Sequence, residues 1–145
     1  MTTQQVTDSV RPLRALVARR LSRLTDASTH MTTEAESIEA FCARKGIEIV
    51  HSTEDLDVSG GQSIKERPGV GKFLADEFLD SWDVLILYRL DRGFRNHYDF
   101  VTWYHEYVTG HGKQLISVGE DIDMSTPMGR MFASGGHAGA INWRR

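Results

Sequence analysis

Apolar and polar positions follow two different periods along the chain, and this pattern predicts alternating strands and helices. Residues 13–18, "LRALVA", alternate in the manner of a strand. Residues 32–46 then space Ile38, Phe41 and Cys42 as one helical face, and Gly46 provides a C-terminal stop. "IEIV" is predicted as a second strand, and the polar residues 51–67 are predicted to form a long loop. The first half therefore has the order strand, helix, strand and loop.

The second half continues the alternation. Pro68 suits the first turn of a helix that carries Phe73, Leu74, Phe78 and Leu79. "DVLILY", residues 83–88, is a nearly continuous apolar run, as expected of a central strand that is covered on both sides. The pattern then predicts a helix whose apolar face is made of Phe100, Val101, Tyr104, Tyr107 and Val108. A strand at "KQLISV" and a last helix at "TPMGRMFA" follow. We therefore expect an α/β fold, with a mostly parallel central sheet and helices on both faces.

Composition is that of one globular domain. The chain has 145 residues, of which 40% are apolar and 26% charged. Its single cysteine, Cys42, excludes an intramolecular disulfide and a multi-cysteine zinc site, and it fits a reduced, cytoplasmic setting. The N-terminal residues are polar, and no run approaches the ~20 apolar residues of a membrane span. We expect neither export nor membrane insertion.

The basic residues are unusually rich in arginine. The net charge of −3 argues against binding of nucleic acid by the whole surface. Of the 17 basic residues, however, 13 are arginine and 4 are lysine. The planar guanidinium binds phosphate or carboxylate in bidentate fashion, so local anion recognition is favoured.

Polar side chains follow each of the first three predicted strands. They are Arg20 and Ser22 after the first, Asp55, Ser59 and Arg67 after the second, and Arg89, Asp91, Arg92 and Arg95 after the third. In parallel α/β sheets, ligands bind beyond the carboxyl ends of the strands, so these segments are expected to converge. Arginines around a serine suit phosphoryl transfer, with Asp91 orienting guanidinium groups on either side of it. A solvated salt-bridge loop is the alternative that spacing alone leaves open.

Other chemistries compete with this interpretation. A metal-dependent nuclease would use one of two acidic clusters, Glu54, Asp55 and Asp57 or Glu120, Asp121 and Asp123. A serine hydrolase would need a histidine and an acid, but no "GxSxG" elbow occurs. A base-stacking platform is a third possibility, although helical spacing favours a core role for its aromatic residues, Tyr98, Trp103, Tyr104 and Tyr107.

Four segments, taken in order, resemble the catalytic domain of the serine recombinases (the resolvase/invertase family), especially its actinobacterial and phage members. They are "RRLSRLTDAST", "EDLDVSG" followed by "ERPG", "LDRGFR" and "DMSTPMGRMF". The resemblance runs from about Leu13 to Ala133, and several ordered motifs are much more specific than one. It implies a resolvase-like fold and a DNA substrate.

The resemblance also implies a mechanism and roles for residues. Ser22 would attack a DNA phosphodiester, leaving a 5′-phosphoserine link and a free 3′-hydroxyl, before strand exchange in a tetramer. Phosphate and transition-state ligands would be Arg20, Arg67, Arg92 and Arg95, with Asp91 as their orienter and Ser59 as an accessory residue. Because the phosphoserine bond keeps the energy of the ester, no ATP is needed, and we expect no cofactor and no metal.

The chain departs from the family pattern in two places near the motifs. Glu34 stands where a glutamine is common, and its carboxylate is expected to repel phosphate. Gly93 and Phe94 replace the usual leucine and small residue, which predicts a looser or differently packed arginine loop.

The C-terminal residues depart further. The glycines of "ASGGHAGAINWRR" are expected to end the final helix early, each at ~1 kcal/mol relative to alanine. We predict a flexible segment at residues 1–12, a catalytic domain at 13–134, an atypical tail at 135–145 and no DNA-reading domain. Homo-oligomerisation through the family helix would then be weak, giving a monomer or weak dimer. An impaired or truncated relative that acts as an interaction module is the alternative.

Overall fold

This computed structural model describes residues 11–21, 27–56, 62–120 and 122–123. The described residues form one sheet, with the strands β1 (Arg14–Leu21), β2 (Glu48–Leu56), β3 (Val84–Leu87), β4 (Gln114–Ser117) and β5 (Ile122–Asp123). Their order across the sheet is β2-β1-β3-β4-β5. Strands β1 to β4 are parallel, and β5 pairs with β4 in the antiparallel sense. The expected α/β fold with a mostly parallel sheet is confirmed.

The helices differ widely in length. They are α1 (Ala27–Lys45), α2 (Val70–Phe73), α3 (Leu90–Gly93) and α4 (His97–Trp103). Helix α4 continues without a break as a π-helix, Tyr104–Thr109, and short 3₁₀ turns occupy Ile64–Glu66, Asp76–Ser81 and Val118–Glu120. Gly46 ends α1 with φ +71°, a left-handed conformation that glycine adopts without steric strain. None of the described helices is both long and apolar enough to cross a membrane.

Strand β3 separates two apolar layers because successive side chains point to opposite faces. Leu85 and Leu87 pack with the aromatic side chains of α4, whereas Val84 and Ile86 pack with Ile38 of α1. All four residues of β3 are completely buried. The strand is therefore central and covered on both sides, as its apolar run predicts.

Two element boundaries differ from the predictions. Strand β2 extends to Leu56 through residues predicted as loop, because its buried polar side chains have partners: the Thr53 hydroxyl donates to Val17 O at 2.9 Å. The single helix predicted from Pro68 is instead α2 followed by a 3₁₀ turn. At that break, Trp82 Nε1 donates to Phe73 O and the Tyr107 hydroxyl donates to Leu74 O, both at 2.8 Å. Side chains thus bind carbonyls that a longer helix would have used.

The predicted apolar face of α4 is wrong in part. Phe100, Trp103 and Tyr107 are buried, at the i, i+3, i+7 spacing of one helical face. Val101 is exposed, and Tyr98 is 75% exposed, so neither belongs to the core. The other predicted face residues, Tyr104 and Val108, are partly buried.

The order in which successive strands are added to the sheet reverses at β1. From β1 the chain crosses to β2 on one side, then returns to β3 on the other. Such a switch point leaves a crevice at the carboxyl ends of the strands, which is where α/β proteins bind ligands. The predicted last helix and the domain limits at residues 12 and 134 depend on residues outside the described ranges, so they stay predictions.

Candidate active site

Arg67 lies where the three predicted segments meet. Its Nη1 donates to Arg92 O at 2.9 Å and to Gly93 O at 2.8 Å, and its Nη2 donates to Arg19 O at 3.2 Å. One buried guanidinium therefore joins the loop before α2, the turn of α3 and the end of β1. These segments converge at the switch point, as the strand ends predict.

Asp55 holds Arg67 from the end of β2. Its Oδ2 lies 3.4 Å from Arg67 Nε, and its carboxylate also accepts from the backbone N–H groups of Gly69 and Val70 at the start of α2. A Cβ at residue 69 would lie 2.8 Å from Asp55 Oδ1, so glycine permits this close approach. The carboxylate is fixed by backbone and guanidinium together. Asp55 thus lies with Arg67, as expected of the polar residues that follow the strands, although the sequence places it in a loop and β2 includes it.

The electrostatic surroundings of Arg67 are mixed. Burial lowers the pKa of its guanidinium, the charge of Arg20 lowers this pKa further, and Asp55 opposes both effects. Arg20 belongs to β1 rather than to a following loop, and its strand neighbour in register is Asp55. Among the described residues, Arg67 uses three of its five N–H groups on carbonyls and turns Nε–H toward Asp55. The second Nη2–H has no acceptor among the described residues.

Arg92 is held by Glu34 of α1. Arg92 Nε donates to Glu34 Oε2 at 3.0 Å, and the Arg92 side chain is 30% exposed. Glu34 itself is buried, and its second oxygen, Oε1, has no hydrogen-bond partner among the described residues. The residue that departs from the family pattern therefore contacts a predicted phosphate ligand directly.

Asp91 contacts one of its two neighbouring arginines. Arg89 Nε donates to Asp91 Oδ1 at 3.3 Å, and this hydrogen bond raises the pKa of Arg89. Within the described ranges, Asp91 makes no hydrogen bond or ion pair with Arg92, whose Nε–H is directed to Glu34. Asp91 is almost completely buried, and its Oδ2 has no hydrogen-bond partner in the described part of the chain.

Asp99 positions the backbone beside Arg95 and was not predicted from the sequence. Its Oδ2 accepts from the N–H groups of Ile64 and Arg95, both at 3.1 Å. Asn96 caps α4 by accepting from Asp99 N at 2.9 Å. Burial raises the pKa of the Asp99 carboxyl, and the two backbone hydrogen bonds oppose this rise. The spacing of Asn96 and Asp99, a cap followed by an acid in the first turn, was the available signal.

The loop around Gly93 and Phe94 is closely packed. A Cβ at Gly93 would lie 2.2 Å from Leu87 Cδ2, so a larger residue would not fit without movement. The Phe94 ring lies 5.2 Å from that of Phe100 and 5.5 Å from that of Trp103. The two departures from the family pattern thus anchor the arginine loop in the core.

Some predicted site residues lie outside the described residues, and others are engaged elsewhere. Ser22 and Ser59 belong to the first group, as do Asp57 and Asp121. In the acidic clusters, Glu54 pairs with Arg19, and Glu120 Oε1 accepts from Leu90 N at 2.8 Å and from the Ser117 hydroxyl at 2.6 Å. No group of three potential metal ligands occurs in the ranges that the structure describes.

Arginines and buried carboxylates at the switch point of a parallel sheet define a candidate phosphoryl-transfer domain. The family model "Resolvase, N terminal domain" matches residues 15–138. The chain belongs to this family and is a catalytic domain of the site-specific serine recombinases, enzymes that act on DNA. The nuclease and interaction-module alternatives are not favoured.

Solved structures share the fold. The N-terminal catalytic domain of TP901-1 integrase is 23% identical, with a TM-score of 0.72 over 83% of this chain and 89% of that one. A resolvase-family site-specific recombinase from Streptococcus pneumoniae is 21% identical, with a TM-score of 0.61 over 84% of each chain. The C-terminal catalytic domain of ISC1926 TnpA, an IS607-like serine recombinase, is 22% identical, with a TM-score of 0.58 over 74% of this chain and 67% of that one. No curated protein sequence matches the chain significantly.

Proposed function

We propose that Ser22 is the nucleophile of this recombinase domain and that it attacks a DNA phosphodiester. A bond forms between Ser22 Oγ and phosphorus while the bond from phosphorus to the 3′ oxygen breaks. The serine loses its proton, and the leaving 3′ oxygen gains one. The products are a 5′-phosphoserine link and a free 3′-hydroxyl, and the reverse reaction rejoins DNA without ATP.

The observation that carries this proposal is the arginine cluster at the end of β1. Ser22 directly follows Leu21, the last residue of β1, and Arg20 belongs to the same strand. Arg67 joins this strand end to the turn that contains Arg92. A hydroxyl next in sequence to a strand end that carries Arg20 and is bound by the Arg67 guanidinium suits attack on an anion.

The arginines would divide the work between binding and organisation. Arg20, Arg92 and Arg95 would neutralise the phosphate and the charge that grows on its non-bridging oxygens. Arg67 would contribute its last N–H to the phosphate while its other N–H groups fix the surrounding backbone. Asp91 would orient Arg89, and Ser59 would be an accessory polar group. In this scheme fixed guanidinium charge serves where other phosphoryl-transfer enzymes use magnesium, so we propose no metal and no cofactor.

Covalent capture on DNA tests the proposal. We expect the chain, at about 10⁻⁴ M so that nonspecific DNA affinity is exceeded, to form a covalent adduct with a labelled duplex library that has a randomised central segment. Because guanidinium groups supply the stabilising charge, the adduct yield should be the same with and without EDTA. Denaturing electrophoresis measures the yield, and mass spectrometry of the adduct peptide identifies the serine. An adduct that disappears in EDTA and returns with magnesium would contradict the arginine mechanism.

We also propose that this chain by itself is a monomer or weak dimer in a reduced, cytoplasmic setting. The glycines of residues 135–139 disfavour a long continuous pairing helix. DNA binding should therefore be weak and salt-sensitive, and recombination by the chain alone inefficient. Sedimentation velocity at micromolar concentration should give a monomer or a monomer–dimer equilibrium, whereas a stable tetramer would contradict this view of the tail.

A further inference from the structure

Four buried carboxylates surround the arginine cluster, and one differs from the others in how it is held. Glu34, Asp55, Asp91 and Asp99 are 5%, 3%, 1% and 7% exposed. Backbone N–H groups hold Asp55 and Asp99, and Arg89 holds Asp91. Among the described residues, only Arg92 donates to Glu34. Glu34 therefore depends on a side chain that the proposed mechanism assigns to the phosphate.

The geometry of this pair is one-sided. Only Glu34 Oε2 is engaged, at 3.0 Å from Arg92 Nε, and Oε1 is buried without a hydrogen-bond partner among the described residues. Arg92 is partly exposed, whereas the Glu34 side chain is 6% exposed. A phosphate that approaches from solvent therefore meets a guanidinium whose charge a buried carboxylate already neutralises. The same carboxylate then lies close to the incoming negative charge, where the two repel each other.

We propose that Glu34 is an internal competitor of the DNA phosphate for Arg92, an autoinhibitory contact that weakens DNA binding by this chain. The inference rests on the proposed function, because it takes Arg92 as a phosphate ligand. It predicts that removing the charge of Glu34 strengthens DNA binding through Arg92. A residue that only positions Arg92 would behave in the opposite way, since its loss would weaken binding.

Glu34→Gln separates these two roles. The amide oxygen can still accept from Arg92 Nε, so the guanidinium keeps a partner while the competing charge is removed. Binding is measured by fluorescence anisotropy of a labelled random-sequence duplex over a range of KCl concentrations. We expect about two- to fivefold tighter binding at low salt, the range that partly exposed charge pairs contribute. The slope of log K against log[salt] should steepen by about 0.9, which corresponds to one additional phosphate contact.

Glu36→Gln is the matched control. Glu36 lies on the same helix and is exposed, and its substitution changes the net charge by the same amount as Glu34→Gln. Its effect on affinity and on the salt slope should be smaller than that of Glu34→Gln. If Glu34→Gln does not fold at the assay temperature, Glu34→Met, an apolar residue of similar length, removes the same charge and should shift binding in the same direction.

Arg92→Gln, alone and combined with Glu34→Gln, distinguishes failure of this inference from failure of the proposed function. Arg92→Gln should weaken binding, and in its presence Glu34→Gln should have no further effect. If Arg92→Gln leaves binding unchanged, the assignment of Arg92 as a phosphate ligand fails. If Arg92→Gln weakens binding but Glu34→Gln leaves binding unchanged or weakens it, only the competitor inference is overturned. The same holds if Glu34→Gln strengthens binding equally in the presence of Arg92→Gln.

Discussion

Ser22→Ala is expected to abolish the covalent protein–DNA adduct, with a loss of at least about 10³-fold, because alanine has no oxygen to bond to phosphorus. The arginine cluster that would bind the phosphate does not depend on this hydroxyl for the contacts described. DNA affinity should therefore stay close to that of the unmodified chain. The unfolding free energy should change by no more than about 0.5 kcal/mol, since only one hydroxyl is removed.

Ser59→Ala is the matched control for this prediction, because Ser59 is the serine of the second recognised motif. It should reduce the adduct yield modestly and leave the mass of the Ser22 adduct peptide unchanged. Both variants are compared by denaturing electrophoresis on the same labelled library, with urea unfolding as the test of the fold. An adduct that persists in Ser22→Ala and disappears in Ser59→Ala would move the nucleophile to the second motif.

The central sheet is the part of the fold that sequence pattern predicts best. Val84–Leu87 is apolar without interruption, and only a strand with cover on both faces tolerates such a run. Helix α1 is predicted by its apolar spacing, although it begins at Ala27, earlier than the pattern indicates. Long-range contacts decide where the prediction ends. The break after α2 depends on Trp82 and Tyr107, which are close in space but distant in sequence from the carbonyls they bind.

Polar residues at the end of β2 show why the site was only partly predictable. Residues 51–55 are polar, which predicts a loop, yet Thr53 and Asp55 are buried. Their burial is compatible with a strand because Val17 O and the N–H groups of α2 satisfy them. Nothing local in the sequence identifies such partners. Asp99 is hidden in part for the same reason: the cap spacing of Asn96 and Asp99 is a local signal, but the hydrogen bond from Ile64 N is visible only in the tertiary structure.

The sequence predicts where the candidate arginines lie, because their positions follow from the order of strands. Their partners did not follow, because a guanidinium pairs with whichever carboxylate the packing places nearby. Asp91 was expected beside both neighbouring arginines, but Glu34, 58 positions before Arg92, holds Arg92 instead. The strand ends thus predict which side chains lie near one another, whereas the tertiary structure is needed to know which of them form pairs.

Arg67→Met is expected to have the largest effect on stability of any single change in the site. It leaves three buried or partly buried carbonyls without their donor and removes the guanidinium that lies beside Asp55. Removal of one partner from a buried ion pair destabilises proteins by about 3–5 kcal/mol. The whole unfolding free energy of a domain is only about 5–15 kcal/mol. The urea midpoint should therefore fall by roughly 2 M, and adduct formation should be lost with it.

Two further variants show whether the loss arises from the buried network. Asp55→Asn combined with Arg67→Met should be less destabilising than the sum of the single changes, by about 0.5–3 kcal/mol, because the uncompensated carboxylate is gone.

Arg95→Gln changes an exposed site arginine. It should alter the unfolding free energy by less than about 1 kcal/mol, but it should lower the adduct yield by about 10²-fold or more. Equal urea midpoints for Arg67→Met and Arg95→Gln would show that Arg67 does not organise the strand ends. Its buried hydrogen bonds would then contribute nothing that the rest of the fold does not already provide.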